Sequence, residues 1–169
     1  LEAVDRPPTY WPLMIGNGVT GFREMSGSSP LLERGRQYRQ DVAEGKLLGP
    51  ELLIQPGRLI SLLPEGPRAG ITTAQAAIDE VREQKKLGAD FIKIVGVNRD
   101  TFFATAAEAR NQGLTLVGHL SPVVSATEAS NAGMRAMEHF GAGLISVALD
   151  CSTDEAAIRD RKSTRLNSS

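Results

Sequence analysis

The sequence predicts an α/β protein with a parallel sheet. Strand-like and helix-like segments alternate through most of the 169 residues. A unit of helix, glycine and strand occurs three times, at Gly88, Gly113 and Gly133. Strands separated by helices of about 10 to 15 residues build parallel sheets, because each crossover returns the chain to the starting edge. Two architectures satisfy this pattern: the closed eight-stranded barrel and the open doubly wound sheet.

The first part of the chain predicts a helix, a strand, a helix, a strand and a loop, at residues 8–17, 19–25, 31–46, 51–55 and 59–70. The first helix follows from the helical spacing of Tyr10, Leu13 and Met14. The loop follows from a cluster of prolines and glycines, which interrupt regular structure.

The second part predicts a helix, a strand, a helix, a strand, a short helix, a strand and a final helix, at residues 71–88, 91–97, 101–113, 114–120, 125–133, 135–140 and 152–159. Asp100 or Thr101 is the expected N-cap of the helix over 101–113. Ser125, followed three residues later by Glu128, predicts a capping box at the short helix.

Composition excludes several classes of protein. A formal net charge of −1, with no basic run carrying interleaved aromatics, gives no electrostatic case for nucleic acid or an anionic membrane. No apolar stretch reaches the roughly 18 residues needed to span a bilayer.

We assign residues 1–159 to one partial domain and interpret residues 160–169 as an artefact or a disordered tail, because they resemble a translated sequencing adapter.

Three nitrogen-bearing side chains form the candidate site: Lys93, His119 and His139. Each lies in or just after an apolar strand that follows a helix and a glycine, and the chain has no other histidine. In parallel α/β sheets, functional residues collect at the C-terminal ends of the strands. Imidazole is a good zinc ligand, whereas lysine is an ordinary ligand only after chemical modification.

Carboxylation by carbon dioxide would convert Lys93 into a metal ligand. The reaction needs the neutral amine, and burial in an apolar strand favours that form. The product carries two anionic oxygens, which can bridge two metal ions about 3.5–4 Å apart. Each residue also has an ordinary explanation, since buried histidines are commonly hydrogen-bonded core residues and lysines extend their stems toward solvent.

Several blocks resemble the metal-dependent amidohydrolase superfamily, in the branch of imidazolonepropionase-like enzymes and Xaa-Pro dipeptidases. They are NGVTGFREMSG, LLGPELLI, GADFIKI, LVGHL and SATEASNAGMRAMEHF, at residues 17–27, 47–54, 88–94, 116–120 and 125–140. The order of the blocks and the spacing between His119 and His139 also match the family's pattern.

The resemblance implies a (β/α)₈ TIM barrel with a binuclear metal centre, with two zinc ions in most members. Carboxylated Lys93 would bridge the metals, and His119 and His139 would bind the second one. The implied reaction is hydrolysis of an amide or other C–N bond by a metal-activated hydroxide, on a small-molecule or short-peptide substrate. Arg23 and Glu24 are interpreted as structural ion-pair partners. Compartment and oligomeric state stay open.

Two parts of the family's pattern have no match in the sequence. One is a His-x-His pair at the end of the family's first strand, and the other is a catalytic aspartate on its eighth strand. A closed barrel also needs about 250 residues. We therefore interpret the chain as a fragment covering roughly strands two to six, and expect it to lack hydrolase activity alone.

Two alternative functions stay open. GADFIK also resembles the strand of deoxyribose-phosphate aldolase, in which a lysine amine attacks a carbonyl to form a Schiff base. That function would leave both histidines without a role. The other alternative is a non-catalytic barrel remnant kept for packing or for binding a partner.

Overall fold

A computed structural model describes Val4, residues 9–62, residues 68–139 and Cys151. The predicted helix at 152–159 and the tail at 160–169 lie outside the described residues. The described helices are α1 Tyr10–Gly16, α2 Ser29–Ala43, α3 Ala74–Lys86, α4 Arg99–Asn111 and α5 Ala126–Asn131. The described strands are β1 Gly21–Arg23, β2 Glu51–Ile54, β3 Leu59–Ser61, β4 Arg68–Gly70, β5 Phe91–Val95, β6 Thr115–His119 and β7 Met134–Met137.

Every pair of neighbouring strands in the described residues is parallel. Five strands form one sheet in the order β4-β3-β5-β6-β7, and β1 pairs with β2 in a second. An isolated parallel bridge between Pro56 and Phe91 joins the end of β2 to β5. The two sheets therefore continue into one another, and the predicted α/β class with a parallel sheet is confirmed.

The main core lies between the five-stranded sheet and helices α3 and α4. Ile92, Ile94 and Phe102 have no solvent exposure and belong to one hydrophobic cluster with Val81 of α3. Full burial of a side chain of this size stabilises a fold by about 1.5–3 kcal/mol. A separate aromatic cluster around Trp11 and Tyr38 packs α1 and α2 against β2.

The helix boundaries follow local capping chemistry. The capping box predicted at α5 is present, since Ser125 accepts from Glu128 N–H and Glu128 accepts from Ser125 N–H. The cap predicted for α4 is wrong. Asn98, and neither Asp100 nor Thr101, is its N-cap, and its side-chain oxygen accepts a hydrogen bond from Thr101 N–H at 2.8 Å.

The predicted loop over residues 59–70 is also wrong, because it contains β3 and β4. The prolines and glycines behind that prediction stand at positions 64–70, after the buried triplet Leu59, Ile60 and Ser61. All three residues of that triplet are buried, and Ile60 pairs with Ile94 of β5. Burial between neighbouring strands thus outweighs the nearby turn-forming residues.

Within the described residues, no helix combines the length and apolar character needed to cross a membrane.

Candidate metal centre

Lys93 is the central residue of β5 and is 6% exposed. Its Nζ donates a hydrogen bond to the backbone oxygen of Met25, just beyond β1, at 2.9 Å. An ammonium or amine in an apolar strand needs such an acceptor, because burying an unpaired polar group is costly. The sequence correctly predicted a buried lysine in the middle of an apolar strand.

His119 is the last residue of β6, and the glycine before it sets its position. Gly118 has φ +134°, and a Cβ added there would lie 2.1 Å from the backbone oxygen of Ile94. Only glycine therefore lets β6 approach β5 this closely. His119 follows directly and is half-buried at the end of the strand.

His139 lies two residues beyond β7 in a left-handed backbone conformation, with φ +56°. Gly118 pairs with Met137, so regular strand alternation would turn His139 to the face opposite His119. The left-handed residue breaks that alternation. The rings of His119 and His139 lie with centroids 4.9 Å apart and planes at 87°. A non-glycine residue in this conformation is uncommon and is often found at functional sites.

Lys93 shares a sheet face with His119. In the register of β5 and β6, Lys93 pairs with Val117, and Val95 pairs with His119. Lys93 and Val95 point to one face because they are two residues apart. Lys93 therefore lies about 6.6 Å below the level of His119 along the strands.

The two imidazoles fit the geometry of ligands to one tetrahedral ion. With Zn–N bonds of 2.0–2.1 Å, two imidazole ligands have ring centroids about 5 Å apart, close to the 4.9 Å here. Two rings do not complete a site, and the described residues contain no group of three or more His, Cys, Asp or Glu side chains suited to a metal ion.

The structure adds an ion pair that the sequence prediction missed. Arg23, at the end of β1, donates from Nη2 to Oε1 of Glu138 at 3.0 Å. Arg23 was correctly predicted to form an ion pair, but its partner is 115 positions away and directly precedes His139. Glu24 accepts hydrogen bonds from the backbone N–H groups of Met25 and Ser26, at 2.9 and 3.0 Å.

Comparison with solved structures finds proteins of the amidohydrolase type. A bottromycin amidohydrolase superposes with a TM-score of 0.67 at 20% identity over 86% of this chain. A Xaa-Pro dipeptidase with bound methionine in its active site superposes with a TM-score of 0.58 at 19% identity over 78%. A Bifidobacterium longum protein described as a prolidase gives 0.50 at 25% identity over 65%.

These likenesses establish a fold shared with amidohydrolase-type proteins. The chain spans 32%, 39% and 30% of the three proteins, in the order above. No protein-family model matches the sequence, and no curated protein matches it significantly.

Proposed function

We propose that this chain is part of a metal-dependent hydrolase that cleaves amide or other C–N bonds. The observation that carries the proposal is the contact between the only two histidines of the chain, 4.9 Å apart at neighbouring strand ends. It gains support from the shared fold, because the three superposed proteins carry the names of an amidohydrolase, a dipeptidase and a prolidase. The fold would then be part of a (β/α)₈ barrel.

Each residue has a distinct role in this proposal. His119 and His139 hold one divalent ion, zinc by ligand type, through their imidazole nitrogens. Lys93, after reaction with carbon dioxide, supplies an anionic oxygen to that ion and, in the whole protein, to a second ion. Divalent ions bound in this way activate water and polarise a carbonyl oxygen, which is the chemistry that amide hydrolysis requires.

Carboxylation of Lys93 would add two acceptor oxygens and leave its present hydrogen bond in place. The Nζ atom now donates to the Met25 oxygen. A carboxylated nitrogen keeps one N–H, so it can retain that hydrogen bond while its new oxygens extend toward the imidazoles. The Met25 oxygen would thereby fix where the nitrogen of the modified side chain lies.

Metal binding by the 169-residue chain tests the proposal directly. We expect the chain to bind Co²⁺ or Zn²⁺ in calorimetry, and either His119→Ala or His139→Ala to remove most of that binding. Lys93→Met keeps the length of the side chain but accepts no carbon dioxide, so we expect it to weaken binding too. Lys85→Met is the matched control, because Lys85 is exposed in the last turn of α3. Equal binding by wild type and both histidine variants would contradict the proposal.

Isotope-labelled bicarbonate tests the carboxylation step separately. We expect a carbamate carbon signal in wild type that is absent from Lys93→Met. The aldolase alternative predicts instead that borohydride traps an aldehyde on Lys93, with no effect of either histidine variant. Trapping on Lys93 together with absence of metal binding would favour the aldolase.

A further inference from the structure

The Arg23–Glu138 ion pair connects the two described sheets. Arg23 ends β1, which pairs only with β2 among the described strands, and Glu138 follows β7 at the far edge of the five-stranded sheet. The pair is partly shielded, with the side chains of Arg23 and Glu138 36% and 16% exposed. Shielding strengthens an ion pair relative to one at the open surface, because water screens it less.

Glu138 is held at two points next to the candidate site. Its backbone N–H donates to the oxygen of Gly118 at 2.8 Å, and its carboxylate accepts from Arg23 at 3.0 Å. Gly118 directly precedes His119, and Glu138 directly precedes His139. The ion pair therefore acts on the short segment that determines where both imidazoles lie.

Strand alternation explains why this segment needs support. Because Met137 pairs with Gly118, Glu138 falls on the same face as His119, and a regular strand would turn His139 away. The positive φ of His139 keeps its ring beside His119 instead. A left-handed conformation is strained for a non-glycine residue, so an extended His139 is a competing state.

We propose that Arg23, acting through Glu138, is a positioning residue that holds His139 in the left-handed conformation facing His119. With Glu138 fixed by Arg23 on the face of His119, the backbone that leads into His139 is held in place. Without the ion pair, Glu138 and His139 can relax together into an extended strand end, which carries the ring of His139 away from His119. The metal-binding consequence rests on the proposed function, whereas the ring geometry does not.

The first test reads the ring geometry in the metal-free chain. The chain has two histidines and no others, so single-histidine variants assign both imidazoles by NMR. We expect a nuclear Overhauser contact between the rings in wild type, which Arg23→Ala and Glu138→Ala both lose. Arg82→Ala is the matched control, because it removes another Arg–Glu pair, to Glu108 at 2.8 Å between α3 and α4. We expect that variant to keep the ring contact.

The second test reads metal affinity. We expect Arg23→Ala to weaken Co²⁺ binding by roughly 10- to 100-fold, the usual effect of losing a residue that supports a ligand. Arg82→Ala should leave the affinity unchanged, and Arg23→Lys should restore part of it, because an ammonium can still pair with Glu138. The exchanged pair Arg23→Glu with Glu138→Arg should also recover part of the affinity, which a general loss of stability would not allow.

The outcomes separate this inference from the proposed function. If wild type binds no Co²⁺ but shows the ring contact, and Arg23→Ala loses the contact, the positioning role stands and the metal function fails. If wild type binds Co²⁺ and Arg23→Ala retains both the affinity and the ring contact, the positioning role is overturned. Absence of the ring contact in wild type would also overturn it.

Discussion

Gly118 offers the sharpest test of how the fold places His119. A Cβ at this position would lie 2.1 Å from the oxygen and 2.8 Å from the nitrogen of Ile94. Both are backbone atoms of β5, so no side-chain rotation can relieve the contact. The φ of +134° is also outside the left-handed region that other residues tolerate. Gly118→Ala must therefore move one strand relative to the other.

The magnitude follows from two contributions. A strained backbone conformation costs about 1–3 kcal/mol, and an extra methyl group in a closely packed position costs about 1–3 kcal/mol. We expect Gly118→Ala to lower the free energy of unfolding by about 4 kcal/mol. For a chain of this length that corresponds to a fall of about 10 °C in Tm.

Gly96→Ala provides the matched control. Gly96 also has a positive φ, +64°, but a Cβ added there would meet nothing within 4 Å. Gly96→Ala should lower the free energy of unfolding by about 1 kcal/mol, the cost of the left-handed conformation alone. Urea unfolding followed by circular dichroism measures both variants. A loss in Gly118→Ala no larger than that in Gly96→Ala would refute the close approach of β5 and β6.

Two further predictions concern the caps of α4 and α5. Asn98→Ala should lower the free energy of unfolding by about 1 kcal/mol, because it removes the hydrogen bonds to Thr101 N–H and Thr72 O. Asp100→Ala should lower it by less in the same urea titration. The reverse order would argue against Asn98 as the cap. The Arg99 side chain and the backbone N–H of Ser125 lower the pKa of Glu128 to about 2, from an ordinary 4.5. Since this pKa is depressed in the folded chain, its stabilisation is full above about pH 4.5 and is lost as the pH falls toward 2. The stability difference between wild type and Glu128→Gln should accordingly shrink over that range in acid unfolding, and a constant difference would count against the prediction.

The parts of the fold that sequence predicted well depend on local chemistry. Gly88, Gly113 and Gly133 end helices in the structure with positive φ angles, as their spacing predicted. The capping box at α5 needs only residues three positions apart. Such features are set by neighbours along the chain, so a single sequence is enough to find them.

The errors arose where several local signals competed. Three polar residues, Asn98, Asp100 and Thr101, could each begin α4, and the choice depends on which side chain turns back to the helix N–H groups. Asn98 also donates to the oxygen of Thr72, a contact with the loop before α3 that the local sequence does not reveal. The strand β3 was missed because its burial comes from β5, more than thirty positions later.

The candidate site was predictable by residue type but not by arrangement. Lysine in an apolar run and two histidines after apolar strands marked the three residues. The left-handed φ of His139 could not be assigned from the sequence, because even the residue types enriched in this conformation, Asn, Asp and His, adopt it at only a small share of their positions. The Arg23–Glu138 pair spans 115 positions, so only the fold brings it together.

The end of β1 supports both halves of the candidate site. Arg23 contacts Glu138, which precedes His139, and the oxygen of Met25 accepts from Lys93. Both contacts come from residues 23 to 25, at and just beyond the end of β1. A displacement of this segment would therefore disturb Lys93 and His139 together, although the two lie on different strands. Close backbone packing at Gly27, two residues further on, restricts such displacement. A Cβ at Gly27 would lie 1.8 Å from the oxygen of Gly57.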